Sequence, residues 1–285
     1  MPVQPFRHSA PAPQPAPATG PSPLYRRYLA AQRRRRTWIW LSRFAVLAAF
    51  LLLWEIAAGR GWIDSMLTSK PSLLWSSFRE MLLEGKLLKH TWTTTLETLV
   101  GIVVSMALGT VIAVVFWWST FASKVLEPYV VVLNALPKVA LGPIFYIWLG
   151  DRYSIYGMAV AISVIVTIMM VENGFREIGR SKLKLMESFG ATRTQMLTMV
   201  ILPASIPNWI ATLKVNVGLT LVGVIMGEFL SSKAGLGYLI IYGGQVFQMN
   251  MVMVSIAILA LLSIALYGLV NLLGAWLKRK NHFEG

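Results

Sequence analysis

Long apolar runs separated by short polar stretches occupy the chain from residue 38 onward. Six of them, 38–58, 96–118, 128–149, 155–171, 206–230 and 251–277, are built mostly from Leu, Ile, Val, Ala, Met and Trp. About 20 helical residues cross the hydrocarbon of a bilayer, and all but the shorter fourth run reach that length. Unpaired strand backbone is costly in lipid, so each run is predicted to be a helix. The third is interrupted by Pro137, Gly142 and Pro143. The stretch 71–89 has a different pattern: Leu73, Leu74, Phe78, Met81 and Leu82 recur at helical spacing among Arg79, Glu80 and Glu84. It is predicted to be an amphipathic surface helix. The largest internal polar loop, 172–202, has the same character. Leu183, Met186, Phe189, Met196, Leu197 and Val200 mark an apolar face interrupted by Gly190. This predicts two short amphipathic helices with a glycine turn between them, the second stopped by Pro203 before the next span.

Composition supports lipid as the solvent. The chain is 56% hydrophobic and only 13% charged, with a mean hydropathy of +0.61, whereas a soluble domain is about a quarter charged. It has no cysteine, and His8, His90 and His282 lie far apart, so neither a disulfide nor a metal site is expected. No cofactor is implied. The net charge of +14 sits between apolar spans rather than among exposed aromatics, which argues against nucleic acid. With the N-terminus inside, 17 of the 26 Lys and Arg residues fall on the cytoplasmic side and 7 outside, and the other two, Lys138 and Lys214, fall within spans. That bias places both termini in the cytoplasm. The expected organisation is an all-α polytopic membrane protein. A disordered Pro/Ala-rich and basic tail (1–37) precedes a six-helix domain (38–277) and a short cytoplasmic C-terminal tail (278–285). The arginines 33–36 precede a long apolar run, so the first span is read as uncleaved.

Few polar residues interrupt the spans. Lys138 lies about 15 Å into the third run at helical rise, where a lysine faces a cavity or a partner. Together with Asn134 and Pro137 it is a candidate for a translocation pathway, where it would attract an anion. The competing reading is a lysine that snorkels, or pairs with a carbonyl or carboxylate. Lys214 is expected to snorkel, Glu228 to have a structural partner, and Asn134 and Asn216 to make interhelical hydrogen bonds.

Three motifs bring in a family. Gly190-Ala191-Thr192-Arg193 followed by Val200-Ile201-Leu202-Pro203-Ala204 resembles the coupling loop of permeases of ATP-binding-cassette (ABC) importers. The segment Ala135 to Ala140 resembles the nitrate/sulfonate/taurine branch, as do Gly227-Glu228-Phe229 and the run Ala234 to Ile240. The resemblance implies a type I importer permease core and a non-catalytic subunit in the bacterial inner membrane. It would work with two ABC ATPase subunits, a second permease expected to be an identical copy, and an extracytoplasmic solute-binding protein. The solute would be small and anionic, of the sulfonate, taurine or nitrate type. The absence of a G-x-x-x-x-G-K-[ST] loop fits an ATPase on a separate chain. The residues that would meet it are Lys184, Glu187, Gly190, Ala191, Arg193, Leu202 and Pro203. Lys184 departs from the pattern, standing where the family has an acidic residue. A stand-alone secondary transporter would show inverted repeats, and a membrane enzyme clustered ionisable residues within the spans; neither pattern is present.

Overall fold

The computed structural model describes residues 23–280, which form helices and turns only. The Pro/Ala-rich stretch up to residue 22 and the last five residues lie outside the described residues. The chain forms two compact units, Met1–Ile56 and Ala57–Gly285.

The described part of the first unit belongs to a single helix, α1 (Pro23–Gly59). Residues 24–37, expected as part of a disordered tail, are helical. Alanine, arginine and leucine are good helix formers, and no Gly or Pro follows Pro23 until residue 59, so nothing breaks the helix between the basic stretch and the apolar run.

The second unit opens with α2 (Ser65–Thr68) and the amphipathic α3 (Pro71–Leu83). Leu74, Phe78 and Met81 of α3 pack on an apolar core, while Trp75 and Glu80 stay exposed. The predicted surface helix is therefore present, but it ends at Leu83, and Gly85 in a left-handed conformation leads into α4 (Lys86–Trp118). The third apolar run does not form one helix. Its residues are shared among α5 (Thr120–Ala135), a 3-10 turn (Lys138–Leu141) and the start of α6 (Gly142–Arg176). Leu136 is extended, as a residue before proline prefers. α6 itself breaks at Gly150, whose φ is +71°. After the loop segments come α10 (Ile206–Ser231), α11 (Leu236–Gln245) and α12 (Met249–Lys280). Among the described residues, five helices are long and apolar enough to cross a membrane; six were expected, and the divided third run does not form a separate one of that length.

The core of this unit is the packing of α6 against α10 and α4. It depends on small residues. A methyl group at Gly223 would sit 2.6 Å from the Ala159 Cα, so the two backbones touch there. Polar side chains bond across the same interfaces: Ser105 and Ser163 lie 2.5 Å apart, and Asn216 Nδ2 donates to Thr167 Oγ1 at 2.7 Å. Close backbones and buried hydroxyls hold helices together where lipid removes the hydrophobic drive. Asn216 thus makes the interhelical bond expected of it. Asn134 does not; its partner is Lys138 in the next turn of its own segment.

Candidate functional site: an anchored loop, a broken helix and a carboxyl-capped turn

The loop that follows α6 folds as a helix pair. α7 (Arg180–Ser188) ends in a Schellman turn: Ala191 N–H donates to Met186 O at 3.0 Å and Gly190 N–H to Glu187 O at 2.9 Å. The closing residue must take a positive φ, and Gly190 does, at +75°. Thr192 then caps α8 (Arg193–Met196), with Gln195 returning a bond to the Thr192 N–H. Pro203 does not stop this helix. Residues Leu197–Ile201 widen into a π turn, and the path continues through α9 (Leu202–Ala204) towards α10. A proline ring clashes with the carbonyl four residues earlier, and the wider turn relieves that clash without ending the helix.

Apolar packing and hydrogen bonds tie this loop to the spans. Leu197 and Ile201 are buried with Ala113 of α4 and Val171 and Phe175 of α6, and Leu183 of α7 packs on them. Arg193 donates to Trp118 O at the end of α4, at 3.2 Å. Arg176 joins α6 to α5, donating to Glu172 at 2.6 Å and Ser123 at 3.2 Å, with Glu127 at 3.6 Å. Sequence reading missed the Arg176 cluster, although the i,i+4 spacing of Glu172 and Arg176 was a visible signal. It placed Phe189 on one apolar face with Leu183, Met196 and Leu197. The side chain is instead 77% exposed, and Leu185 is 56% exposed. Phe189 is the last residue before the turn, and the reversal at Gly190 points it away from the packed side. Lys184 and Glu187 are exposed beside it, Ala191 is half-buried in the turn, and Leu202 and Pro203 are half-buried where the loop rejoins the spans.

At the broken helix, Lys138 Nζ donates to the Asn134 carbonyl at 3.1 Å and to its side-chain oxygen at 3.4 Å. Asn134 is exposed and Lys138 is half-buried. Pro137 ends α5 and leaves its last carbonyls without backbone donors, and a lysine there satisfies one of them and suits the helix dipole. Lys214 lies over the Tyr267 ring at 5.8 Å.

The third element lies at the end of the bundle opposite the loop. Three consecutive N–H groups at the start of α11 each find a side chain. Gly235 donates to His90 Nδ1 at 2.9 Å, Leu236 to Thr94 Oγ1 at 2.8 Å, and Gly237 to Glu228 Oε2 at 2.5 Å. Thr94 in turn donates to Glu228 Oε1 at 2.6 Å. Glu228 is 1% exposed. The acceptor carboxylate at a helix N-terminus satisfies the orphan donors and favours the dipole. The glycines follow from it: Gly235 has φ +110°, and a side chain at either Gly235 or Gly237 would collide with the Glu228 carboxyl. The motifs Gly227-Glu228 and Gly235-Leu236-Gly237 are two parts of one buried knot, which His90 and Thr94 of α4 complete.

Comparison with known proteins places these features in one family. The family described as binding-protein-dependent transport system inner membrane component matches residues 101–282. That range holds the anchored loop, the broken helix and Glu228. A putative aliphatic sulfonates transport permease protein, SsuC of Bacillus subtilis, is 24% identical over 253 residues, covering 88% of this chain and 92% of that protein. The formylaminopyrimidine transport permease protein ThiX of Halalkalibacterium halodurans is 28% identical, covering 81% and 93%. The taurine transport system permease protein TauC of Escherichia coli is 22% identical, covering 82% and 89%. Among solved structures, an inward-facing MetNI methionine ABC transporter superposes with a TM-score of 0.55 at 20% identity, covering 70% of this chain and 97% of that one.

Proposed function

The chain belongs to the family of inner membrane components of binding-protein-dependent transport systems, and from that premise we propose how its loop, broken helix and solute pathway divide the work of import. It is a multi-pass, non-catalytic permease subunit of an ABC importer, and ATP hydrolysis belongs to a separate subunit. The ATPase docks on α7, with Phe189 and Leu185 entering an apolar groove and Lys184 and Glu187 at its rim. The observation that carries this reading is the combination of an exposed apolar tip with a base packed into α4 and α6. A helix-in-groove contact needs such a tip. Transmission needs the rigid base, because movement at the ATPase then displaces α5 and α6 as a body. Two copies of this chain would pair with two ATPase subunits, with the loop and both termini in the cytoplasm and a solute-binding protein on the other side.

Co-expression with the ATPase encoded alongside is the direct test. The two should co-purify in a lipid nanodisc, and loaded binding protein should raise hydrolysis. A permease that inserts at normal levels yet never retains an ATPase would refute the assignment of α7.

Relatives that carry sulfonates and taurine support a small anionic solute. The pathway runs past the broken helix at Asn134, Pro137 and Lys138, where irregular backbone is tolerated only under cover of protein or water. Lys138→Met keeps the length of the side chain and removes its charge. Uptake of the anion is expected to fall about tenfold or more while assembly and nucleotide response persist. Uptake equal to the parent would leave Lys138 as the cap of α5 and nothing more.

A further inference from the structure

α1 takes no part in the coupling scheme and lies ahead of residue 101, where the family match begins. Its 37 residues rise about 55 Å at helical pitch, whereas the hydrocarbon of a bilayer is about 30 Å thick. The apolar run 38–58 fills that thickness, so the basic end projects beyond it. Arg33, Arg34, Arg35 and Arg36 lie roughly 3–8 Å along the axis from Trp38, at the depth of the headgroup layer. Four consecutive helical residues turn through about 300°, so these guanidinium groups project on every side.

The chain offers them no counter-charge. The first acidic residue in the sequence is Glu55, near the other end of α1. Among the described residues, no ion pair includes Arg27, the four adjacent arginines or Arg43, and all six are exposed. The positive-inside rule requires a surplus of basic residues, not this arrangement of them. One face of the helix is also hollowed. Ala30 and Ala31 leave a groove beside Arg34, Arg35 and Trp38. The groove continues past Ile39 and Ser42 to Arg43 and Val46. The Arg43 guanidinium lies over the Trp40 ring, 5.2 Å from its centroid and nearer the basic end than its own backbone. Snorkelling of this kind lifts an arginine from the hydrocarbon towards the headgroups. Arg35 and Arg43 therefore approach one depth from two sides, with the Ser42 hydroxyl between them and an apolar wall below.

We propose that this groove is a binding site for an anionic phospholipid of the leaflet that the basic end of α1 meets. Arg35 and Arg43 donate to the lipid phosphate, and an acyl chain lies along Ile39 and Val46. A guanidinium presents paired donors that match two phosphate oxygens. A zwitterionic lipid would bring its own ammonium among the arginines, which repel it. A free phosphate would meet the arginines and leave the apolar wall uncovered. The proposal goes beyond the coupling reading, and none of its residues belongs to the loop 172–202.

The test titrates the full-length chain in detergent with phosphatidylglycerol and with phosphatidylcholine of identical acyl chains, and reads bound lipid by native mass spectrometry. The parent should bind phosphatidylglycerol at least about tenfold more tightly than phosphatidylcholine. Each basic residue near an anionic headgroup contributes roughly a fivefold factor. Arg35→Gln combined with Arg43→Gln should therefore weaken phosphatidylglycerol by about tenfold or more. Arg33, Arg34 and Arg36 remain in that variant, so insertion and topology are kept. Lys124→Gln combined with Lys182→Gln, an equal loss of charge at exposed positions outside α1, should leave the affinity unchanged. Excess inorganic phosphate should not displace the lipid. Equal affinity for the two lipids in the parent would overturn the proposal, as would parental affinity in the Arg35/Arg43 variant. An equal loss in the lysine pair would reduce the effect to net charge and overturn it too. Displacement by inorganic phosphate would make the groove a site for a soluble anion and refute the lipid assignment.

Discussion

Glu228→Ala is expected to leave little folded protein in the membrane. The substitution removes the acceptor for the Gly237 N–H and the Thr94 hydroxyl, both buried with it. The Thr94 hydroxyl can turn to the His90 carbonyl at 3.2 Å, but the stranded Gly237 N–H costs about 1–3 kcal/mol, and the cavity left by the side chain adds more. A loss of roughly 3–5 kcal/mol is a large part of the 5–15 kcal/mol that holds a typical domain together. The damage spreads because the same knot fixes two elements. α11 loses one of the three caps at its N-terminus, and α4 loses the Thr94 tie to the end of α10. Glu228→Gln should fall between Ala and the parent, since its amide oxygen still accepts one of the two bonds. Leu272→Ala, at a position 72% exposed, serves as a control and should behave as the parent does. Membrane abundance and the thermal unfolding midpoint of the solubilised protein measure the order. Equal abundance of Glu228→Ala and the parent would mean that the buried carboxyl does not hold the helices together.

Much of this architecture was legible in the sequence, because apolar runs of bilayer length admit few folds. The anchored loop was legible too, since Leu183, Met196 and Leu197 recur at helical spacing and Gly190 interrupts them. What escaped was anything decided by a neighbour distant in the chain. His90 and Thr94 lie some 140 residues from the turn they cap, and no local pattern announces the pairing. Pro203 was read as a stop because proline removes a helical hydrogen bond; the π turn before it is a local rewinding that the residue types alone do not reveal. The third run was read as one interrupted span. Its breaks were correctly seen, but the proline at 137 and the 3-10 turn at Lys138–Leu141 divide it between α5 and α6.

The last expected effect concerns coupling and leaves the fold intact. Gly190→Val should insert normally and lose the ATPase. A methyl group at Gly190 would meet no atom within 4 Å, so crowding is not the difficulty. The difficulty is φ at +75°, where a β-branched residue is strained by about 1–3 kcal/mol. The cheapest relief is to open the Schellman turn, giving up the bonds from Gly190 and Ala191 to Glu187 and Met186. α7 then loses its closing turn, and Phe189 loses its fixed direction. The core beneath is untouched, because Leu197, Ile201 and Phe175 are packed independently of the turn. At 1.4 kcal/mol per factor of ten, this strain lowers the docking-competent population by roughly fivefold to a hundredfold. ATPase recovered with the permease should fall in the same proportion, and stimulation by loaded binding protein should fall with it. Gly190→Asn discriminates strain from chemistry. Asparagine tolerates the left-handed region far better than valine, so it should restore most of the association. If α7 merely lay on lipid, neither variant would change ATPase recovery. Full association and full stimulation in Gly190→Val would therefore place the ATPase contact elsewhere on the permease and deprive the exposed Phe189 of its assigned partner.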